Sequence, residues 1–213
     1  MGVHFAVVAF KGSHLGRMAD FLRELDHELV GAPASCTSGE EAMELLNEES
    51  DNVDIVRKAA YESGGWTYLV DPEMVVITSV DELTAFAQTH ATRILGLICE
   101  SSSASYGFSV FAPTLQREVL AVNGEVVTNT GDAIPEERGI DWRRADERQI
   151  LTVAERFGVA YDEMSADRPY LVFTLDESGM PTPELPASGA DRPFPPVDIV
   201  ARVVGRRPWW KFW

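Results

Sequence analysis

RILGLICESSSASYGFSVFAPTLQREVLAVNGEVVTN, residues 93–129, is the stretch whose reading decides the fold. RILGLICE (93–100) is almost continuously apolar, the pattern of a strand covered on both faces and central in its sheet. YGFSVFA (106–112), LQREVLAV (115–122) and EVVTN (125–129) are three further strands. Asn123-Gly124 separates the last two, and that pair suits a tight hairpin because both residues tolerate positive φ. Four strands joined by short turns predict an antiparallel meander.

Working outward, GWTYLV (65–70) and MVVIT (74–78) read as two more strands joined by Asp71-Pro72-Glu73. Proline at the second position of that turn makes a hairpin the expectation. VHFAVVAF (3–10) is a buried strand, and Ser13 then caps a helix with its stripe at Leu15, Met18, Leu22, Leu25 and Leu29. Ser38-Gly39-Glu40-Glu41 has the form of a capping box, and a third helix is expected from Asn52 to Ser63, closed by Gly64-Gly65. SVDELTAFAQTH (79–90) and Asp146–Gly158 are the remaining helices, and PYLVFTL (169–175) the remaining clear strand. Residues 176–196, rich in proline and glycine, form an irregular connection to VDIVARVV (197–204), a strand or short helix. The expectation is a single α+β domain over 1–213, mainly antiparallel sheet (the meander around 65–129) with helices packed on it. Residues 1–63 form its helix-rich first part and 206–213 an aromatic tail.

The net charge is −16, unevenly placed. Residues 206–213, RRPWWKFW, carry +3, so the body stands at −19. Such a body repels phosphate backbones and anionic bilayers, which disfavours nucleic-acid and membrane binding. Such acidity serves first to keep the protein soluble, and it would also attract a basic protein partner. Two cysteines, Cys36 and Cys99, make no disulfide framework. The N-terminal stretch lacks the charged region of a signal peptide and no segment has the length of a membrane span, so a cytoplasmic location is expected.

Reaction chemistry finds little purchase. The histidines, His4, His14, His27 and His90, have no metal-ligand spacing, and no phosphate-cradling glycine motif is present, so no cofactor and no metal are expected. Ser101–Ser105 lack a nucleophile elbow. Asp71 and Glu73 flank a turn, and Asp132, Glu136, Glu137 and Asp141 cluster in GDAIPEERGID. That acidic cluster and the aromatic tail, Trp209, Trp210, Phe212 and Trp213, are the candidate partner-binding residues; no catalytic residue is assigned. Docking of the tail on its own domain, against body carboxylates, is the favoured reading of the tail.

GWTYLVDPEM (65–74), ESSSASYGFSVF (100–111) and NGEVVTNTGDAIPEE (123–137) resemble segments of short bacterial proteins similar to cytosolic immunity-type proteins that accompany secreted toxins. The resemblance spans roughly a third of the chain, with Ile134 at a position usually occupied by leucine. It implies a non-enzymatic role, the sequestering of a toxin, and assigns no functional residue. The alternatives are a hydrolase using Asp71, Glu73 and the Ser101–Ser105 loop in one cleft, or a sensor with a small-ligand cavity.

Overall fold

The computed structural model describes residues 4–48, 52, 54–159 and 167–178. Residues 197–204 and the aromatic tail, with Trp209, Trp210, Phe212 and Trp213, lie outside the described residues.

Ten strands form one open sheet in which every pairing is antiparallel. They are β1 (His4–Lys11), β2 (Glu28–Leu29), β3 (Ala34–Cys36), β4 (Ile55–Ser63), β5 (Trp66–Val70), β6 (Ile94–Glu100), β7 (Ser105–Phe111), β8 (Leu115–Val122), β9 (Glu125–Thr130) and β10 (Tyr170–Asp176). Their order is β2-β10-β4-β5-β1-β6-β7-β8-β9, and β3 also pairs with β10. Four helices accompany them: α1 (Met18–Glu24), α2 (Gly39–Leu46), α3 (Val80–Thr89) and α4 (Glu147–Phe157). The fold is therefore α+β, as the meander predicted.

Alternation along β1 shows why both faces need cover. Phe5, Val7 and Ala9 join one core with α2 and α4, whereas Val8 and Phe10 join a second core with α1 and α3. On the second face Phe10, Phe21 and Phe86 meet edge to face, with centroids 4.9–5.3 Å apart, and so fix α1 and α3 to the central strand. On the first face Tyr61 and Tyr68 stack at 4.6 Å across β4 and β5.

Local chemistry explains the boundaries. Ser38 accepts from the Glu41 amide at 3.2 Å, while Glu41 takes the Thr37 amide at 2.7 Å, so the expected cap of α2 is present. Asp146 and Gln149 make a reciprocal capping box for α4, and Gly158 at φ +75° ends it. Asn123 and Gly124 take φ of +53° and +77°, the two positive values of a hairpin turn between β8 and β9.

Three expectations are corrected. The helix expected over 52–63 is strand β4: Lys58, Ala59, Ala60 and Tyr61 are all buried, so both faces of the segment are needed. Pairing with β5 and β10 overrides the helical propensity of alanine and lysine. Gly64-Gly65, at φ +58° and +77°, is consequently a hairpin turn. MVVIT (74–78) is no strand; Val76–Thr78 form a 3-10 turn leading into α3, and β5 pairs with β4 and β1 instead. The first helix stops at Glu24, and Asp26 at φ +61° turns the chain into β2. Ser13 caps nothing there; its hydroxyl donates to Glu62 at 2.8 Å.

The sheet's second face also holds a carboxyl with no ion-pair or hydrogen-bond partner among the described residues, that of Glu118. Glu118 on β8 is half-buried beside Ser109, and burial raises its pKa. A carboxyl whose folded pKa exceeds its unfolded value stabilises below the unfolded value and loses that contribution as pH rises through the folded one. Glu118→Gln removes this loss, so urea denaturation should show the variant gaining on the wild type between pH 4 and pH 7.

Candidate functional site

The first candidate is a buried charge cluster. Continuing the β4–β5 register beyond Ala59↔Val70 sets Lys58 opposite Asp71, and both side chains are fully buried. Lys58 Nζ lies 2.5 Å from Asp71 Oδ1 and 3.0 Å from Glu73 Oε2. Asp71 Oδ2 accepts from the Val76 amide at 2.6 Å, and the Met74 amide closes the turn onto the Asp71 carbonyl at 3.0 Å. Burial disfavours the lysine's charge, but Asp71, Glu73 and Glu177 outweigh it and push its pKa up. Burial pushes the Glu73 carboxyl up as well, against the pull of Lys58. His27 Nδ1 sits 3.2 Å from Glu177 Oε1, outside hydrogen-bonding alignment.

This cluster can hold charge but is badly placed to react. Lys58 stays protonated, so it is no nucleophile. Asp71 has no exposed surface with which to touch a substrate. The serine loop is separate: β1 stands between β5 and β6, about 9–10 Å of sheet. Ser103 Oγ donates to Ser105 Oγ at 2.8 Å, and the Ser103 and Ala104 carbonyls accept from the Asn123 and Gly124 amides. Among the described residues no group of three or more His, Cys, Asp or Glu can hold a metal ion.

The carboxylates of GDAIPEERGID are not brought together as one hook. Glu137 is buried and takes Arg117 Nε and Nη2 at 2.6 and 2.7 Å, the Trp142 indole N–H at 2.7 Å and the Ile134 amide at 3.0 Å. Burial opposes its charge, but those donors prevail and lower its pKa. Arg117 also donates to Asn129 Oδ1 and to the Thr130 and Gly131 carbonyls, so this pair fastens the 131–142 loop to β8 and β9. Glu136 points toward Arg93 at 3.7 Å, and Asp141 forms an exposed bidentate pair with Arg143. Asp132 is exposed. The geometry thus makes Glu137 internal and leaves the other three dispersed in their contacts.

A more coherent surface lies at the opposite edge of the sheet. Residues 24–56 contain ten carboxylates and no lysine or arginine, a run that the charge of larger segments averages away. The described ones, Glu24, Asp26, Glu28, Glu40, Glu41, Glu44, Glu48 and Asp54, are all exposed. The chain brings them to one border: β2 and β3 both pair with β10, and α2 packs on β10, β4 and β3. Among the described residues only Glu48 of this set has a cationic partner, Arg57 at 2.9 Å. Val30 and Met43, respectively 47% and 40% exposed, are the two large hydrophobic side chains exposed among the described residues, and both belong to this border. The edge strands are two and three residues long with Pro33 between them. Such a blunted edge resists strand addition.

Among the described residues no helix is long and apolar enough to cross a membrane. No protein-family model matches the chain, and neither curated proteins nor solved structures yield a match.

Proposed function

We propose that this chain is a non-enzymatic binding protein whose acidic border, around β2, β3 and α2, receives a basic protein partner. Toxin sequestration, the role implied by the immunity-type resemblance of residues 65–137, is the form this binding takes. The observation that carries the reading is the set of eight described carboxylates between Glu24 and Asp54, all exposed and, apart from Glu48, without a cationic partner among the described residues. Glu40 and Glu44 stand four residues apart on α2, a like-charge spacing that costs a helix about 0.2–0.5 kcal/mol. Partner cations relieve that repulsion on binding and speed encounter, and Val30 and Met43 offer exposed apolar contact area.

Charge reversal tests this. Affinity capture from the native host with wild type and with Glu28→Lys/Glu44→Lys should differ in one basic protein. The wild type retains it at low salt and releases it near 0.5 M salt, while the variant binds it at least tenfold more weakly. Neither residue has an ion-pair partner among the described residues, so the melting temperature should hold or rise. An identical set of retained proteins from both would sink the proposal.

A further inference from the structure

One end of the sheet gathers cations and aromatic rings in one row. The Lys11↔Trp66 pairing and the hydrogen bond from the Lys11 amide to the Arg93 carbonyl set Trp66, Lys11 and Arg93 side by side across three strands. All three follow the alternation that faces α4. The Lys11 ammonium lies 4.7 Å from the Trp66 ring centroid and the Arg93 guanidinium 4.4 Å from that of Phe157. Two donors in this row have no hydrogen-bond partner among the described residues: the indole Nε1 of Trp66, a residue only 3% exposed, and Nε of Arg93. Glu136 approaches Arg93 only to 3.7 Å, and its own Oε2 is likewise unpartnered. Arg156, by contrast, is committed to the Glu136 and Arg138 carbonyls.

We propose that Trp66, Lys11 and Arg93 form a binding site for an oxyanion, the phosphate or carboxylate group of a small molecule. Neighbouring strands stand about 4.8 Å apart, so adjacent cations of one row can close on a single anion. Stacking on Phe157 already orders the Arg93 side chain, which lowers the rotamer entropy lost when the anion arrives. The unpaired indole and guanidinium N–H groups gain an acceptor, the exchange that a buried unsatisfied donor rewards most. Lys11 is exposed and Gly65 beside its ammonium has no side chain, so the lysine has room to swing off the ring and uncover the indole edge. The site is chemically opposite to the acidic border and independent of it.

Titration with inorganic phosphate, followed by 1H–15N spectra at ionic strength held constant with chloride, tests the assignment. The Trp66 indole signal, identified by its loss in Trp66→Phe, should shift saturably in the millimolar range. Lys11→Met and Arg93→Gln should each weaken the effect at least tenfold, and Arg23→Gln should leave it unchanged. A parallel titration with acetate separates the sources: saturation by phosphate alone assigns a phosphate ligand, and saturation by acetate assigns a carboxylate. No saturable shift with either anion, or an undiminished shift in Lys11→Met, overturns the site. Lys11 is exposed, so that variant folds whatever the outcome for Arg93→Gln.

Discussion

Lys58→Met is expected to destabilise the protein by about 3–5 kcal/mol, the loss typical of removing one member of a buried ion pair. At this chain length that corresponds to a melting temperature lower by roughly 6–20 °C. The size reflects the groups left behind. Asp71 has no exposed surface, and without Lys58 its Oδ1 loses its ammonium while Oδ2 keeps only the Val76 amide. Glu73, already pushed up by burial, loses the ammonium that most favours its charged form. The double variant Lys58→Met/Asp71→Asn should recover part of the loss, because the uncompensated charge is gone; a double variant as unstable as the sum of the singles contradicts the coupling. The pH dependence has a defined sign. Lys58 has a folded pKa above its ordinary 10.5, so its contribution is complete below that value and is lost as pH rises through the folded one. In the single variant the deficit should instead shrink on acidification, as the stranded carboxylates take up protons.

The second large effect belongs to Arg117→Met. Arg117 is buried, closes a bidentate pair with Glu137 and satisfies three further acceptors on 129–131. Its removal strands the Glu137 carboxylate and frees the 131–142 loop, again at about 3–5 kcal/mol. Glu137 has a depressed folded pKa, so in the wild type its contribution is present above the ordinary 4.5 and is lost as pH falls through the folded value. Calorimetry at pH 7 and pH 4 should show the gap between wild type and variant narrowing in acid. Amide exchange should locate the loosening at 131–142; uniform loosening of the whole sheet would contradict the fastening role.

The two charge pairs also show where sequence reasoning reaches its limit. Strands such as RILGLICE and the Asn123-Gly124 turn are legible because their signals are local: apolar runs and residues that accept positive φ. The helix cap at Ser38 is legible for the same reason. β4 is not, because IVRKAAYES has good helix formers and its strand identity comes from β10, more than a hundred residues later in the chain. Lys58 reads as a surface lysine until Asp71 is placed opposite it by that pairing. The turn at Asp71-Pro72-Glu73 is legible, but the 3-10 turn at Val76–Thr78 is not, since the buried Asp71 carboxylate draws the Val76 amide into it. Of the candidate partner-binding residues, Glu137 reads as exposed acid and is internal because Arg117 lies one strand away. The acidic border is open to reading, in the absence of any lysine or arginine between Arg23 and Arg57, but only at a window of that length.

The central claim is that the border formed by β2, β3 and α2 is the binding surface. Hydrogen–deuterium exchange of the complex with the captured basic partner tests it most directly. The predicted result is slowed exchange in residues 28–46, with the six-residue β9 edge at 125–130 unchanged. Protection confined to β9, or absent from residues 28–46, would contradict it.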